Sequence, residues 1–320
     1  MHRFLSGAEN SISLKYFFYQ GLGAALQTIG IRQAGLAGAL LGEIMWTASP
    51  GRRKLAVRSI SHHLGLDNMS ATRIARQNFR HTGSSFIEMF LTRKVDLRFT
   101  AANISFVDAS RFRHIKNIQR PIVAATGHFG SWELLSPLLA MHFSKRECQI
   151  IVKHPKDRAF AEIVAYYRGV GGNQIVSKDQ AASRVLRCLS HNGISAFLVD
   201  HNAKRSKSIF LPFLGEQASV NLGPAVLAIR SRAIVWPIFL LRIGRGKYQV
   251  HSHEPLDCTQ LSGKMQEKVK RVTEFYTQAV EQMVERYPEQ WFWMHKRWRT
   301  RPLGEKHRPL ASKKQIDLKQ

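Results

Sequence analysis

One stretch restricts the fold more than any other, Pro121 to Leu135. Ile122 to Ala125 is a short apolar run between Pro121 and a glycine turn. Its length and composition are those of a strand buried on both faces of a parallel sheet. The turn is Gly127-His128-Phe129-Gly130, and Ser131 to Met141 then carries enough leucine and alanine for a helix. Strand, glycine turn and helix in succession belong to an open α/β sheet, in which ligands bind where strands end and helices begin.

The remaining chain fits such a sheet. Asn103 to Asp108, Gln149 to Lys153, Gln174 to Val176, Ile194 to Asp200, Ile234 to Leu241 and Tyr248 to His251 read as strands. Ser70 looks like the cap of a helix through Phe90, with Phe79, Phe86 and Met89 on an apolar stripe. Lys156 to Arg168, Asp179 to His191, Ala225 to Arg230 and the long amphipathic Lys264 to Tyr287 read as further helices. Alternating strands and helices predict a central, mostly parallel or mixed sheet flanked by helices.

The turn carries the chemistry. Fourteen histidines and twenty-two acids in 320 residues place an acid five positions after a histidine about once by chance, and three such pairs occur. His62/Asp67 follows a basic stretch without an apolar strand, and His142/Glu147 would lie within one helix, pointing in different directions. Only His128 sits on a turn with Glu133 in the following helical turn. There the carboxylate is expected to fold back to the imidazole, fix its tautomer and stabilise the imidazolium. No Gly-x-Ser-x-Gly elbow accompanies the pair. Direct attack by a substrate hydroxyl is therefore the economical chemistry; the competing reading is a turn histidine that merely caps a helix.

Forty-eight Lys and Arg against twenty-two acids give a formal charge of +26. That balance favours anionic partners without choosing among nucleic acid, acidic protein, acidic membrane and phosphorylated substrate. Three scattered cysteines suggest neither a disulfide framework nor a zinc knuckle. No metal ligand set and no cofactor motif stands out.

Tyr16 to Ile31 is uncharged, as is the run from Gln33 to Gly42, and both are rich in glycine. Neither reaches the about twenty apolar residues needed to cross a bilayer. A helix lying in or dipping into the membrane is preferred to a single span, with a helical hairpin of a soluble protein as the alternative. Arg52, Arg53, Lys54 and Arg58 follow and would keep what comes after them cytoplasmic. The expected division is a membrane-associated segment over 1–48, a catalytic domain over 49–304 and a polar basic tail over 305–320. Trp291 to Pro302 mixes aromatics with cations, which suits a nucleic-acid strip, a headgroup belt or plain packing.

With these segments in place, the chain resembles the lipid A late acyltransferases, the lauroyl and myristoyl transferases of the lysophospholipid acyltransferase superfamily. Gly127 to Glu133 is similar to their catalytic motif, with Ser131 where Asn is usual. Tyr167-Arg168 before Gly171-Gly172 resembles a second block. Asp200-His201 with Phe210 to Gly215 and Ala218 to Gly223 resembles a third, with Asp-Gln commoner at its start. Pro288 to Glu305 resembles the closing signature. The glycerophosphate acyltransferases usually have Asp at the position of Glu133 and a Glu-Gly-Thr-Arg block, which is missing here.

The resemblance implies that His128 is the base and Glu133 its partner. It makes Arg168 a contact for a substrate phosphate or oxyanion, and Asp200 part of the acceptor-side loop. It implies transfer of an acyl chain from acyl carrier protein to a hydroxyl of a lipid A precursor, at the cytoplasmic face of a bacterial inner membrane, with no cofactor or metal. Another glycolipid or phospholipid acceptor is the nearest alternative. A basic nucleic-acid-binding protein is the alternative of a different class. It is disfavoured because the cations are scattered and no helix-turn-helix or ribonucleoprotein motif is present, so nucleic acid is not an expected partner. A membrane scaffold with lapsed chemistry is disfavoured by the intact His128/Glu133 pair.

Overall fold

The computed structural model describes residues 14–305 except 154, 156, 179 and 180. His154, the expected helix starts at Lys156 and Asp179, and the tail beyond Glu305 lie outside the described residues. In chain order the helical N-terminal part is α1 (Leu14–Thr28), α2 (Ile31–Ala48), α3 (Pro50–Leu64) and α4 (Asn68–Met89). Then come α5 (Leu97–Asn103), β1 (Ile104–Phe106), α6 (Ala109–Asn117), β2 (Ile122–Thr126), α7 (Trp132–His142), β3 (Cys148–Val152), α8 (Arg158–Arg168) and β4 (Gln174–Ser177). The chain continues through α9 (Ala181–Ser190), β5 (Ile194–Leu198), β6 (Ser208–Phe213), β7 (Glu216–Asn221) and α10 (Gly223–Arg230). It closes with β8 (Ile234–Gly244), β9 (Lys247–Ser252), β10 (Leu256–Asp257) and α11 (Met265–Arg286).

The strands form one sheet in the order β1-β9-β8-β2-β5-β3-β4, with β10 added against β8. Every pairing is parallel except the β8–β9 hairpin and the short β10–β8 contact. A separate antiparallel hairpin, β6–β7, lies outside it. All five residues of β2 are buried because both faces are covered. Val123 and Ala125 enter a core with α9, α10 and α11, whereas Ile122 and Ala124 enter a second core with α6 and α7. The period-two split over two apolar layers is why the strand reads as an unbroken apolar run.

Two local readings are corrected and one is decided. The cap of α4 is Asp67, whose carboxylate accepts from the Met69 and Ser70 N–H groups at 2.8 and 2.9 Å, so Ser70 is already inside the helix. The uncharged N-terminal region is two helices rather than one, broken before Ile31, and no described helix is long and apolar enough to cross a membrane. Its second helix is welded to the rest: a Cβ at Gly42 would come within 2.4 Å of the Arg80 Cα, and one at Gly83 within 2.2 Å of the Gly38 carbonyl oxygen. Of the readings left open for the aromatic tail, packing is the one that agrees with the structure: Trp291 and Trp293 are buried, and Trp298 stacks on His63. The aromatic tail is packing, and these rings are not free to stack on bases.

Candidate active site

The site is built where β2 and its neighbour β5 end together. Thr126 pairs with Leu198 in register, so the residues that follow each strand emerge side by side. His128 follows β2 and Asp200 follows β5. The Asp200 Oδ1 lies 2.9 Å from the His128 Nδ1, and its Oδ2 accepts the His128 backbone N–H at 2.8 Å. The Trp291 indole N–H adds a third bond, at 2.9 Å to Oδ2. The Asp200 side chain is 0% exposed, while that of His128 is 29% exposed. Because Nδ1 faces a carboxylate it carries the ring proton, which leaves Nε2 as the basic nitrogen of the neutral ring.

The turn is held from both sides. Gly130 has φ +56°, and a Cβ there would meet the Leu240 carbonyl oxygen at 2.2 Å, so the position demands glycine. The Gly130 N–H donates to the Gln290 carbonyl at 2.9 Å and the Ser131 N–H to that of Leu240 at 2.7 Å. The Phe292 N–H donates to the His128 carbonyl at 3.0 Å. Strand β8 and the C-terminal segment therefore clamp the imidazole, whose ring lies 5.6 Å from Trp132 and 6.0 Å from Phe292.

Glu133 is not hydrogen-bonded to His128, contrary to the expected fold-back. Its carboxylate is gripped by Arg168, Nε to Oε2 at 2.8 Å and Nη2 to Oε1 at 2.6 Å, and by the Trp132 indole N–H at 2.8 Å. A guanidinium offers two parallel donors and a permanent charge, which an imidazole cannot match. Arg168 ends α8 and Glu133 opens α7, so the pair also ties two helices together. Arg168, expected to face substrate, thus commits two nitrogens to Glu133; its Nη1 makes no hydrogen bond among the described residues. Asp200, expected in an acceptor loop, lies buried beneath the histidine.

Both carboxylates are held ionised. Burial pushes the Glu133 carboxyl up, but the Arg168 charge and hydrogen bonds, the Trp132 N–H and the His128 charge outweigh it and set it below the usual carboxylate range. Burial acts likewise on Asp200, and the charge and hydrogen bond of His128, with His295 and Trp291, hold it far below that range. Beside Glu133 and Arg168 opens a narrow cavity of about 40 Å³ between α7 and β3, lined by Leu135, Leu139, Ile150 and Phe197.

A family profile described as "Bacterial lipid A biosynthesis acyltransferase" matches residues 7–300. The chain belongs to that family. It is similar to the lipid A biosynthesis lauroyltransferase of Escherichia coli (strain K12), at 27% identity over 201 residues. That match covers 60% of this chain and 61% of the relative. Sequence reasoning singled out His128 but paired it with Glu133, whereas the structure places Asp200 at its Nδ1. The signal was present, since Ile194 to Asp200 already read as a strand ending in an acid. Side-by-side parallel strands bring such an end to the same edge as His128. Trp291 gave no signal of its own, because only the tertiary fold returns the C-terminal segment to the turn.

Proposed function

We propose that this protein transfers a fatty acyl chain from acyl carrier protein to a hydroxyl of a lipid A-type acceptor, with His128 as general base. The observation that carries this reading is the partly exposed imidazole held at Nδ1 by a fully buried carboxylate, at the C-terminal edge of the sheet. The acceptor O–H gives its proton to His128 Nε2 as the oxygen attacks the thioester carbonyl. Asp200 stabilises the imidazolium that forms. The tetrahedral oxyanion collapses, the C–S bond breaks, and the departing thiolate takes the proton from Nε2. A thioester is activated already, so no covalent enzyme intermediate and no metal is needed. Glu133 holds Arg168 in place, and the uncommitted Nη1 supports a role for that arginine at the developing oxyanion or a substrate phosphate.

The surroundings suit the substrates. On α1 the exposed apolar residues Leu14, Phe17, Phe18 and Leu22 recur at helical spacing, and Leu36, Leu40 and Ile44 do so on α2. The opposite faces, through Gly23, Leu26, Ala34, Gly38 and Gly42, are buried against the domain. A helix pair glued down by one stripe and apolar on the other is built to lie in a membrane surface, with the catalytic domain on its cytoplasmic side. A charge of +26 draws in both an acidic carrier protein and a phosphorylated lipid.

The test is acyl transfer from acyl carrier protein to lipid A precursors by full-length protein in detergent or vesicles. His128→Ala should lower turnover by at least about 10³-fold, in line with the loss of a general base that also orients the nucleophile. Its melting temperature should fall somewhat, because the buried Asp200 carboxylate loses a hydrogen-bond partner, so turnover is compared at a temperature where the variant is still folded. Retained turnover sinks the reading.

A further inference from the structure

Outside the active site, one trio of side chains among the described residues offers metal-ligand atoms to a common point, two of them adjacent and the third about 150 residues away. His62 and His63 close α3, and Glu216 opens β7. The His62 Nε2 lies 3.3 Å from the Glu216 Oε2 and the His63 Nε2 lies 3.8 Å from the same oxygen. All three ligand atoms fall within 4.8 Å of one another. A tetrahedral ion with bonds of about 2.0–2.1 Å has ligand-to-ligand edges of about 3.3–3.4 Å. Of the three edges one already has that length, and the other two, 3.8 Å to His63 and the His62–His63 edge within 4.8 Å, close with a side-chain movement.

His63 supplies the independent sign of a missing occupant. Its side chain is 1% exposed, and its ring is stacked on Trp298 with centroids 3.5 Å apart. Its Nδ1 lies 3.4 Å from the Leu214 carbonyl oxygen, and a carbonyl can only accept, so the ring proton belongs on Nδ1. The Nε2 is then a bare lone pair, buried and without a hydrogen-bond partner, aimed at a carboxylate oxygen. A buried lone pair that faces a carboxylate oxygen is repelled by it unless something positive lies between them.

We propose that His62, His63 and Glu216 bind a divalent transition-metal ion of the zinc class, which staples the end of α3 to the β6–β7 hairpin. Imidazole nitrogens with one carboxylate are a borderline-soft set that suits Zn²⁺ over Mg²⁺ or Ca²⁺. His62 is half-exposed, so water completes the tetrahedron. Arg301 holds the other Glu216 oxygen at 2.5 Å, orienting the carboxylate as an outer-shell partner does, although its charge works against the cation. An adjoining recess of about 500 Å³ reaches His63, with Glu285 on its wall. The role is structural: none of the trio hydrogen-bonds to His128, Asp200, Glu133 or Arg168. Trp298 and Arg301 bring the C-terminal segment into the same joint, so the ion would lock three remote parts of the chain.

The test uses the full-length protein in detergent, stripped with EDTA, desalted and titrated with Zn²⁺ against a chromophoric chelator. One equivalent should bind, and Zn²⁺ should raise the melting temperature by several degrees. His62→Ala should weaken binding tenfold or more and erase that rise, while the metal-free melting temperature stays at the wild-type value because the ring is half-exposed. Glu216→Gln should weaken binding to a similar degree. Absence of binding by the wild type, or equal affinity and stoichiometry in both variants, overturns the proposal, since the ion would then sit on other histidines. Acyl transfer is not measured, so the outcome is independent of the proposed reaction.

Discussion

At the scale of the residue, the difference between a functional and an ornamental histidine lies in what holds Nδ1. The Asp200 carboxylate accepts from the ring, from the His128 backbone and from Trp291, which fixes rotamer and tautomer together. Asp200→Asn keeps the shape but offers an amide that can donate to Nδ1 and turn the basic nitrogen the wrong way. Turnover should fall by about 10³–10⁴-fold with the KM for acyl carrier protein nearly unchanged, and steady-state kinetics on the purified variant checks both. An equal loss in Glu133→Gln with none in Asp200→Asn would restore the sequence-based pairing. That pairing failed for a physical reason. Sequence spacing ranks acids by distance along the chain, whereas a guanidinium 35 residues away outcompeted the imidazole for Glu133. The trio of His62, His63 and Glu216 was equally invisible, its members being separated by about 150 residues.

At the scale of the element, what was legible was whatever buries on both faces or repeats with a clear period. Strands β2, β3, β5, β8 and β9 and helices α7, α8, α9 and α11 fall close to where apolar runs and periodicity put them. The short α5 and α6 and the β6–β7 hairpin escaped, because half-exposed elements of mixed composition carry no clean period. Helix α3 was read as a basic stretch, its buried Ala56, Ser59 and Ile60 being few among cations. The glycines of the N-terminal region allow close packing, and the structure shows against what. Gly83 on α4 faces Gly38 and Gly42 on α2, with too little room for a methyl group on either side. Gly83→Ala should therefore force the helices apart and lower the melting temperature, despite alanine's better helix propensity of about 1 kcal/mol. A rise in melting temperature would show that the helices are not in contact there. The outward stripes of the same pair predict the opposite pattern. Phe18→Glu with Leu40→Glu touches no core, so folding should persist, while sedimentation with anionic vesicles should drop at least tenfold. Undiminished sedimentation would remove α1 and α2 as the membrane face.

At the scale of the whole molecule, an excess of cations packed around buried histidines makes stability depend on pH in a definite direction. Burial and the charges of Arg242 and Arg80 lower His81 to about 3. Burial, with His128 and Arg297, lowers His295 to about 4 against opposing pulls from Asp200 and the Phe292 carbonyl. Unfolded histidine titrates near 6.5. Between that value and about 4 the unfolded chain therefore binds protons that the folded chain refuses, and stability falls as pH falls. The limit is about 1.4 kcal/mol per pH unit for each ring, less for the partly exposed His295. Asp200 and Glu133 act in a lower window. Their folded carboxyls are depressed, so their contribution is complete above about 5 and is lost progressively as pH falls from the unfolded values through the folded ones. Melting curves between pH 7 and pH 5.5 should accordingly show a steady decline attributable to the histidines, above the range in which carboxylates take up protons. His81→Gln should remove its share of that slope, even where it lowers the melting temperature overall. A wild-type curve flat from pH 7 to pH 5.5 would mean that water reaches both rings, and with it that the packing of α4 and the C-terminal segment around them is looser than described.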